Sequence, residues 1–246
     1  MLTSVHVADI GAAGAVWRPP KPDKVVGLVH ADGGFVARLQ PSLKPSLEAG
    51  RVVMLGVWKT ESSLNAFLAT TPFGDGWHAR CEQVRAAGEW PGVAEGLGEA
   101  RTPEAEEPLI VVGRSKVNLT KSVDFYKYWA EAAGTFELAD GLRWGCSFVG
   151  TPYFGSITMW RSSSQMLKAA YETRSGFGNA TAPLEAEFGD DGGESFGAFG
   201  EGGHRGAMTA MGHRRLLAEW SYLRLRPLRL SGSVSGRDPL TTRVFD

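Results

Sequence analysis

Arg51 to Trp58 is a near-continuous apolar run, the pattern of a strand buried on both faces, and Ser4 to Ile10 sets Val5 and Val7 on one side of another extended segment. Ser62 or Ser63 then caps a helix whose Leu64, Phe67 and Leu68 follow i, i+3, i+4 spacing, with Pro72 as its stop. A second helix is expected from His78 toward Gly88. Glu89 to Pro108, rich in Gly, Glu and Pro, reads as a linker that divides the chain near residue 105. Beyond it, Leu109 to Val117 alternates as a strand, and Thr120 or Ser122 precedes a helix with an aromatic stripe of Val123, Phe125, Tyr126 and Trp129, ending by Gly134. Leu142 to Val149 and Ser156 to Trp160 read as a hairpin around Thr151 to Gly155. In Tyr222 to Leu230, Leu223, Leu225, Leu228 and Leu230 interleave with Arg224, Arg226 and Arg229. Pro227 shifts the phase, which predicts a strand at or near a sheet edge.

The chain also repeats itself. Val57-Trp58-Lys59-Thr60-Glu61-Ser62-Ser63-Leu64 is echoed by Met159-Trp160-Arg161-Ser162-Ser163-Ser164-Gln165-Met166, an offset of 102 residues between the tryptophans. Gly76-Trp77-His78 and Gly202-Gly203-His204 suggest a second match at an offset of 126, so that the second copy holds about 24 extra residues. The expected organisation is two subdomains, residues 1–105 and 106–246. The second reads strand, helix, strand, strand, helix, strand, which is the ferredoxin-like order. The extra residues fall in 175–203, with nine glycines, six acidic residues, no Lys or Arg, and Phe177, Phe188, Phe196 and Phe199. That stretch reads either as a surface excursion or as a lid whose phenylalanines close over an apolar ligand.

Charge and cysteine content narrow the class. With 26 Lys and Arg against 27 Asp and Glu, the formal charge of -1 gives no footprint for nucleic acid or an anionic membrane. Cys81 and Cys146 are too few for a disulfide framework, which points to a reducing, cytoplasmic setting. Met1 to Ile10 lacks the pattern of a signal peptide, and no run of apolar residues is long enough for an integral membrane segment.

Five histidines, His6, His30, His78, His204 and His213, show no zinc-type spacing. If a helix starts near Gly203, His204, Ala207, Met208 and Met211 share one face. Small residues and methionines around a histidine make a flat apolar surface that suits a planar macrocycle, with imidazole as the axial ligand to iron. The plain structural alternative is a cap, a surface group or a satisfied core residue. His78 is followed instead by Arg80, Cys81, Glu82 and Arg85, a charged face. Arg114, Lys116, Arg143 and Arg161 lie on or beside predicted strands. Arg114 interrupts an otherwise apolar one, and Arg114 or Arg143 could bind a haem propionate or stabilise developing negative charge. Phe125, Trp129 and Trp144 are candidates to line the pocket, or else ordinary core.

Several short motifs in order carry a family resemblance. Val112-Gly113-Arg114-Ser115-Lys116-Val117, Phe125-Tyr126-Lys127-Tyr128-Trp129, Gly141-Leu142-Arg143-Trp144-Gly145 and Ile157-Thr158-Met159-Trp160-Arg161-Ser162 precede His204. Glu219-Trp220-Ser221-Tyr222-Leu223-Arg224-Leu225-Arg226-Pro227-Leu228 and Gly232 to Leu240 follow it. Gly27-Leu28-Val29-His30, Gly33-Gly34-Phe35 and Val52 to Trp58 are collinear in the first half. In this order they resemble the spheroidene monooxygenase (carotenoid ketolase-like) family. The resemblance implies an α+β fold in which the tandem ferredoxin-like units form a dimeric α+β barrel-like architecture fused in one chain, compatible with a homo-oligomer. It further implies an oxygenase that binds haem b and hydroxylates an apolar polyene with molecular oxygen, drawing electrons from a ferredoxin-type donor. His204 matches the family's histidine and Arg114 a basic residue of its strand. The 175–203 insertion departs from the pattern and would remodel access for the substrate.

The expected function is therefore a haem-dependent, monooxygenase-like oxidoreductase for an apolar or secondary-metabolite substrate, with iron on His204. The alternatives are a cofactor-free oxygenase, cyclase or ligand-binding protein on the same barrel, and a haem lyase or dehydratase.

Overall fold

The computed structural model describes residues 1–40, 46–88, 90, 93, 104–137, 139–150, 153–171 and 215–236. The 175–203 insertion, most of the Glu89 to Pro108 linker, and His204, Ala207, Met208 and Met211 lie outside them. Strands β1 (Leu2–Asp9), β2 (Leu28–Arg38), β3 (Leu47–Trp58) and β4 (Trp77–Ala87) come from the first half, with helix α1 (Glu61–Thr70) between the last two. The second half supplies β5 (Leu109–Val117), α2 (Ser122–Glu137), β6 (Leu142–Val149), β7 (Phe154–Trp160), α3 (Ser163–Tyr171) and β8 (Leu217–Ser231). All eight strands form one closed barrel in the order β1-β3-β2-β6-β7-β5-β8-β4, every neighbouring pair antiparallel. The halves meet where β2 pairs with β6 and β4 with β8, so both contribute to a single α+β barrel.

Strand alternation explains the long apolar runs. In β3, Val53, Leu55 and Val57 join the barrel interior, while Val52, Met54 and Trp58 pack outside with Leu64 and Phe67 of α1. In β5, Ile110 and Val112 point inward and Leu109 packs outward with Ala133 of α2 and Met166 of α3. A strand with a core on each face has no polar side, which is why Val52 to Trp58 runs apolar without a break. The interior is filled by Val5, Val7, Trp77, Trp144, Cys146, Phe148, Ile157, Met159, Leu223, Leu225 and their neighbours.

The echoed segments each fall at a strand-to-helix junction: one spans the end of β3 and the start of α1, the other the end of β7 and the start of α3. Trp58 and Trp160 are both fully buried on the outer face. Each satisfies its indole N–H within the same layer, Trp58 by donating to Ser4 Oγ at 2.7 Å and Trp160 to Thr158 Oγ1 at 2.9 Å.

Four expectations are corrected. His78 to Gly88 is not a helix but strand β4, whose Trp77, Ala79 and Cys81 enter the barrel core with a period of two. The charged residues that suggested a helical face are the outward members of that alternation. His204, which the sequence pairs with His78, lies outside the described residues. Strand β8 is not at an edge, because closure pairs it on both sides. Its partner β5 ends its pairing at Leu225, however, and the pairing with β4 shifts between Arg229 and Pro227. Pro227, with no N–H to give, therefore sits where only one neighbour is present. Lastly, Thr60 caps α1, accepting from Ser63 N–H at 3.2 Å, and α2 runs past Gly134 to Glu137. Strand β2 was not anticipated, since His30, Asp32 and two glycines obscure its apolar positions.

Candidate functional site

One end of the barrel breaks the apolar lining. Strand β2 pairs with β6 only over Phe35 to Arg38, so its first half projects past β6 beside the turn that carries Gly150 and Tyr153. Asp32 lies in that projecting part. Gly33 and Gly34 follow because no side chain fits there: a Cβ on Gly33, at φ +148°, would meet Val53 O at 2.1 Å, and one on Gly34 would meet Val149 O at 2.2 Å. The glycines let β2 run close to both neighbours at the point where Asp32 turns into the mouth.

Arg114 reaches the same point from β5, in phase with the inward-facing Ile110 and Val112. Its Nη1 donates to Asp32 Oδ2 at 2.5 Å and its Nε to Ser221 Oγ of β8 at 2.9 Å. The guanidinium lies between two aromatic faces, 4.3 Å from the Trp90 ring centre and 4.4 Å from that of Tyr153. Asp32 Oδ1 accepts from Gly33 N–H at 2.9 Å. His30, two residues before Asp32 on the same strand, brings Nε2 to 3.8 Å from Asp32 Oδ2, a distance for charge attraction rather than a hydrogen bond. Its ring stands edge-on to Trp90 at 6.4 Å. Side-chain exposure is 6% for Arg114, 10% for Asp32 and 16% for His30. His30 is thus the most accessible of the three.

Burial by itself would raise the Asp32 pKa, but the adjacent His30 and the hydrogen bond and charge of Arg114 outweigh it and hold the carboxyl below its ordinary value. The pair is therefore ionised within an apolar barrel. On the rim, Glu219 accepts from Lys116 Nζ at 2.9 Å and from the Tyr153 hydroxyl at 2.8 Å. Those hydrogen bonds lower the Glu219 pKa, and the one to Glu219 raises that of Tyr153.

A second cluster of histidines lies outside the barrel, under α1. His6 Nε2 is 2.6 Å from Ser4 Oγ, and the ring is enclosed by Phe73 at 5.5 Å, His78 at 5.9 Å and Phe67 at 6.2 Å. His6 is fully buried; that burial, with His78 and Arg80 nearby, lowers its pKa to about 3. Among the described residues no carboxylate bonds it. Cys81 and Cys146 are also sealed, and burial pushes both thiols up, so neither is a ready nucleophile.

Among the described candidate site residues, Arg114 lies at the mouth, with Lys116 on its rim. Arg143 sits where the β6–β7 register slips, at the level of Met159. That is four residues along β7 from the Gly155 that pairs with Arg114, or about 13 Å away. Phe125 and Trp129 pack with Phe154 on the outer face beneath α2, with ring centres 4.8 to 6.1 Å apart. Trp144 is on the other side of the sheet, inside the barrel. These residues do not converge on one pocket, and Phe125 and Trp144 already have close-packed neighbours. The described members of the expected haem pocket therefore do not fit one macrocycle. Asp32 and Trp90 were missed, and His30 and Ser221 were named without a role in the site. The available signal was His30-x-Asp32, two ionisable residues at strand spacing, immediately before Gly33-Gly34. Among the described residues, no three His, Cys, Asp or Glu side chains are grouped as a metal site, and no helix is long and apolar enough to cross a membrane.

No protein-family profile matches the chain, and no curated protein matches its sequence. Among solved structures, it is similar to a Fusobacterium nucleatum protein that carries the name of a monooxygenase, at 6% identity and a TM-score of 0.38, covering 94% of each chain. It is also similar to an anthrone oxidase-like protein at 11% identity and a TM-score of 0.30, covering 94% of this chain and 92% of the other. Similarities at these scores do not assign an activity.

Proposed function

We propose that the chain is an oxidoreductase of the oxygenase class, acting on an apolar small molecule at the Arg114 mouth of the barrel. The observation that carries this reading is the His30–Asp32–Arg114 array. It is a fixed, desolvated charge pair with one accessible imidazole, set into a lining that is otherwise apolar. Such a lining takes up an apolar substrate and excludes water, and a preorganised guanidinium offsets negative charge that develops on a substrate or on oxygen. The same proposal treats the halves as tandem ferredoxin-like units, in keeping with the order β4-β1-β3-β2 in one and β8-β5-β7-β6 in the other.

Haem b on His204, with a ferredoxin-type electron donor, is one form of this reading; an oxygenase that works through the array without a bound cofactor is the other. The preorganised guanidinium of the array, placed to offset negative charge on substrate or oxygen, favours the second. Oxygen consumption tests both. Anthrone is a suitable probe because it is planar and apolar with one acidic methylene, and its oxidation by O2 to anthraquinone and water balances without a further reductant. We expect uptake above the buffer rate, and a loss of about 10²-fold in Arg114→Gln. Uptake at the buffer rate would overturn the reading. A Soret band lost in His204→Ala and kept in His213→Ala would establish the haem form.

A further inference from the structure

We propose that His30 is the general base of this mouth, that Asp32 orients it, that Arg114 fixes Asp32, and that the group they serve is a substrate's acidic C–H or O–H. The inference takes the location of the site from the function proposed above but does not depend on oxygen chemistry.

The geometry assigns a separate part to each residue. His30 and Asp32 are two apart in β2, so strand alternation delivers both side chains to the same face. Asp32 has no freedom to turn away: one oxygen is held by Gly33 N–H and the other by Arg114, itself tied to Ser221 and clamped between Trp90 and Tyr153. His30 Nε2 is buried without a hydrogen-bond partner, and the Asp32 carboxylate oxygen Oδ2 lies 3.8 Å from it. A buried imidazole nitrogen left unpaired is unfavourable, and catalytic hydrogen bonds are often long until a substrate is bound. Closing that gap places the proton on Nε2, facing the carboxylate, and leaves the lone pair of Nδ1 for the substrate.

The step is a proton transfer. The substrate C–H or O–H bond breaks, its proton passes to Nδ1, and the electron pair stays on the substrate as an enolate or phenolate. Nothing is oxidised or reduced. The imidazolium that forms is offset by Asp32, and the anion lies near the Arg114 guanidinium. The other ionisable groups sharing the mouth are Lys116, Glu219 and Tyr153, which bond one another on the rim. The apolar lining selects apolar acids.

The test uses the full chain and 2-tetralone, an apolar carbon acid, in D2O under nitrogen. Loss of the C1 and C3 proton signals by NMR reads the exchange rate. The wild-type protein should raise that rate, and His30→Gln should lower the protein-catalysed part by about 10²-fold or more. Asp32→Asn should reduce it less and move the acidic limb of the pH–rate profile to lower pH, because a carboxylate that favours imidazolium has been removed. A merely structural role would not move that limb. If His30→Gln does not fold, His30→Gly with added imidazole should recover exchange. Wild-type exchange at the buffer rate overturns the proposal, as does unchanged exchange in folded His30→Gln or an acidic limb that stays in place in Asp32→Asn. Exchange without oxygen uptake on anthrone supports the base while removing the oxygenase reading. Oxygen uptake left intact in His30→Gln removes the base and spares the oxygenase.

Discussion

The chain buries histidine near arginine in two places and handles it in opposite ways. Under α1, His6 is enclosed by Ser4, Phe67, Phe73 and His78, with Arg80 adding positive potential, and no anion reaches it. At the mouth, His30 keeps some exposure and has a carboxylate beside it. The first arrangement makes imidazole a neutral packing group that cannot take up a proton at ordinary pH. The second keeps a proton acceptor accessible and supplies the counter-charge it needs when protonated. Burial of a titratable group thus marks a candidate site only where a partner charge and an approach are both present.

The largest test of this contrast is to break the charge pair. Asp32→Leu leaves the Arg114 guanidinium buried against an apolar side chain and should cost about 3–5 kcal/mol, read from urea unfolding. The double variant Asp32→Leu with Arg114→Met should regain most of that loss, since an apolar pair satisfies the lining that surrounds it. If the single and double variants are equally unstable, the pair is not coupled as the 2.5 Å contact requires.

Next in size is a difference in acid sensitivity. His6 has a folded pKa of about 3 against an ordinary value of 6.5, so the unfolded chain takes up a proton first. The stability this represents is present above pH 6.5 and lost as pH falls toward 3, with a slope of at most about 1.4 kcal/mol per pH unit. His78, also lowered, adds to the same window. Asp32 has a depressed pKa and acts lower down: its contribution is complete above the ordinary carboxyl value of 3.8 and lost on further acidification. His6→Gln should therefore flatten the stability curve between pH 6 and about 4, and Asp32→Asn only below that. Unfolding curves across pH separate the two, and an unchanged slope in His6→Gln would contradict the sealed reading of His6.

How far the sequence foretold this contrast depends on whether a pattern had one meaning. The apolar runs at Val52 to Trp58 and Leu109 to Val112 were read as strands because both faces are covered. The doubled Trp58 and Trp160 segments fixed the strand-to-helix step in each half. Arg114 stood out as a charge interrupting an apolar run and is indeed buried inside the barrel. Strand β4 was misread because His78, Arg80 and Glu82 form a charged outer face whose inward partners, Ala79 and Cys81, are small. The link from His30 and Asp32 to Arg114 was overlooked because barrel closure alone makes it: Asp32 is 82 residues from Arg114 in the chain and meets it only once β2 and β5 share one end. Trp90 and Tyr153 lie just outside the strands, where periodicity gives no register.

The smallest test acts on the seal over His6. Thr60 stops the backbone before α1 in an extended conformation and accepts from Ser63 N–H, so Thr60→Ala leaves one N–H of the first turn to water and should cost about 1 kcal/mol in urea unfolding. The loss falls on the helix that holds Phe67 against His6, so amide exchange should rise in α1. It should not reach the mouth, because α1 covers the outer face of the first half while His30, Asp32 and Arg114 face inward. Exchange of 2-tetralone should therefore be the same in Thr60→Ala as in the wild-type protein. A fall in that rate would mean that the outer seal and the inner array are mechanically linked through β1 and β3, and that the two histidine sites are not independent.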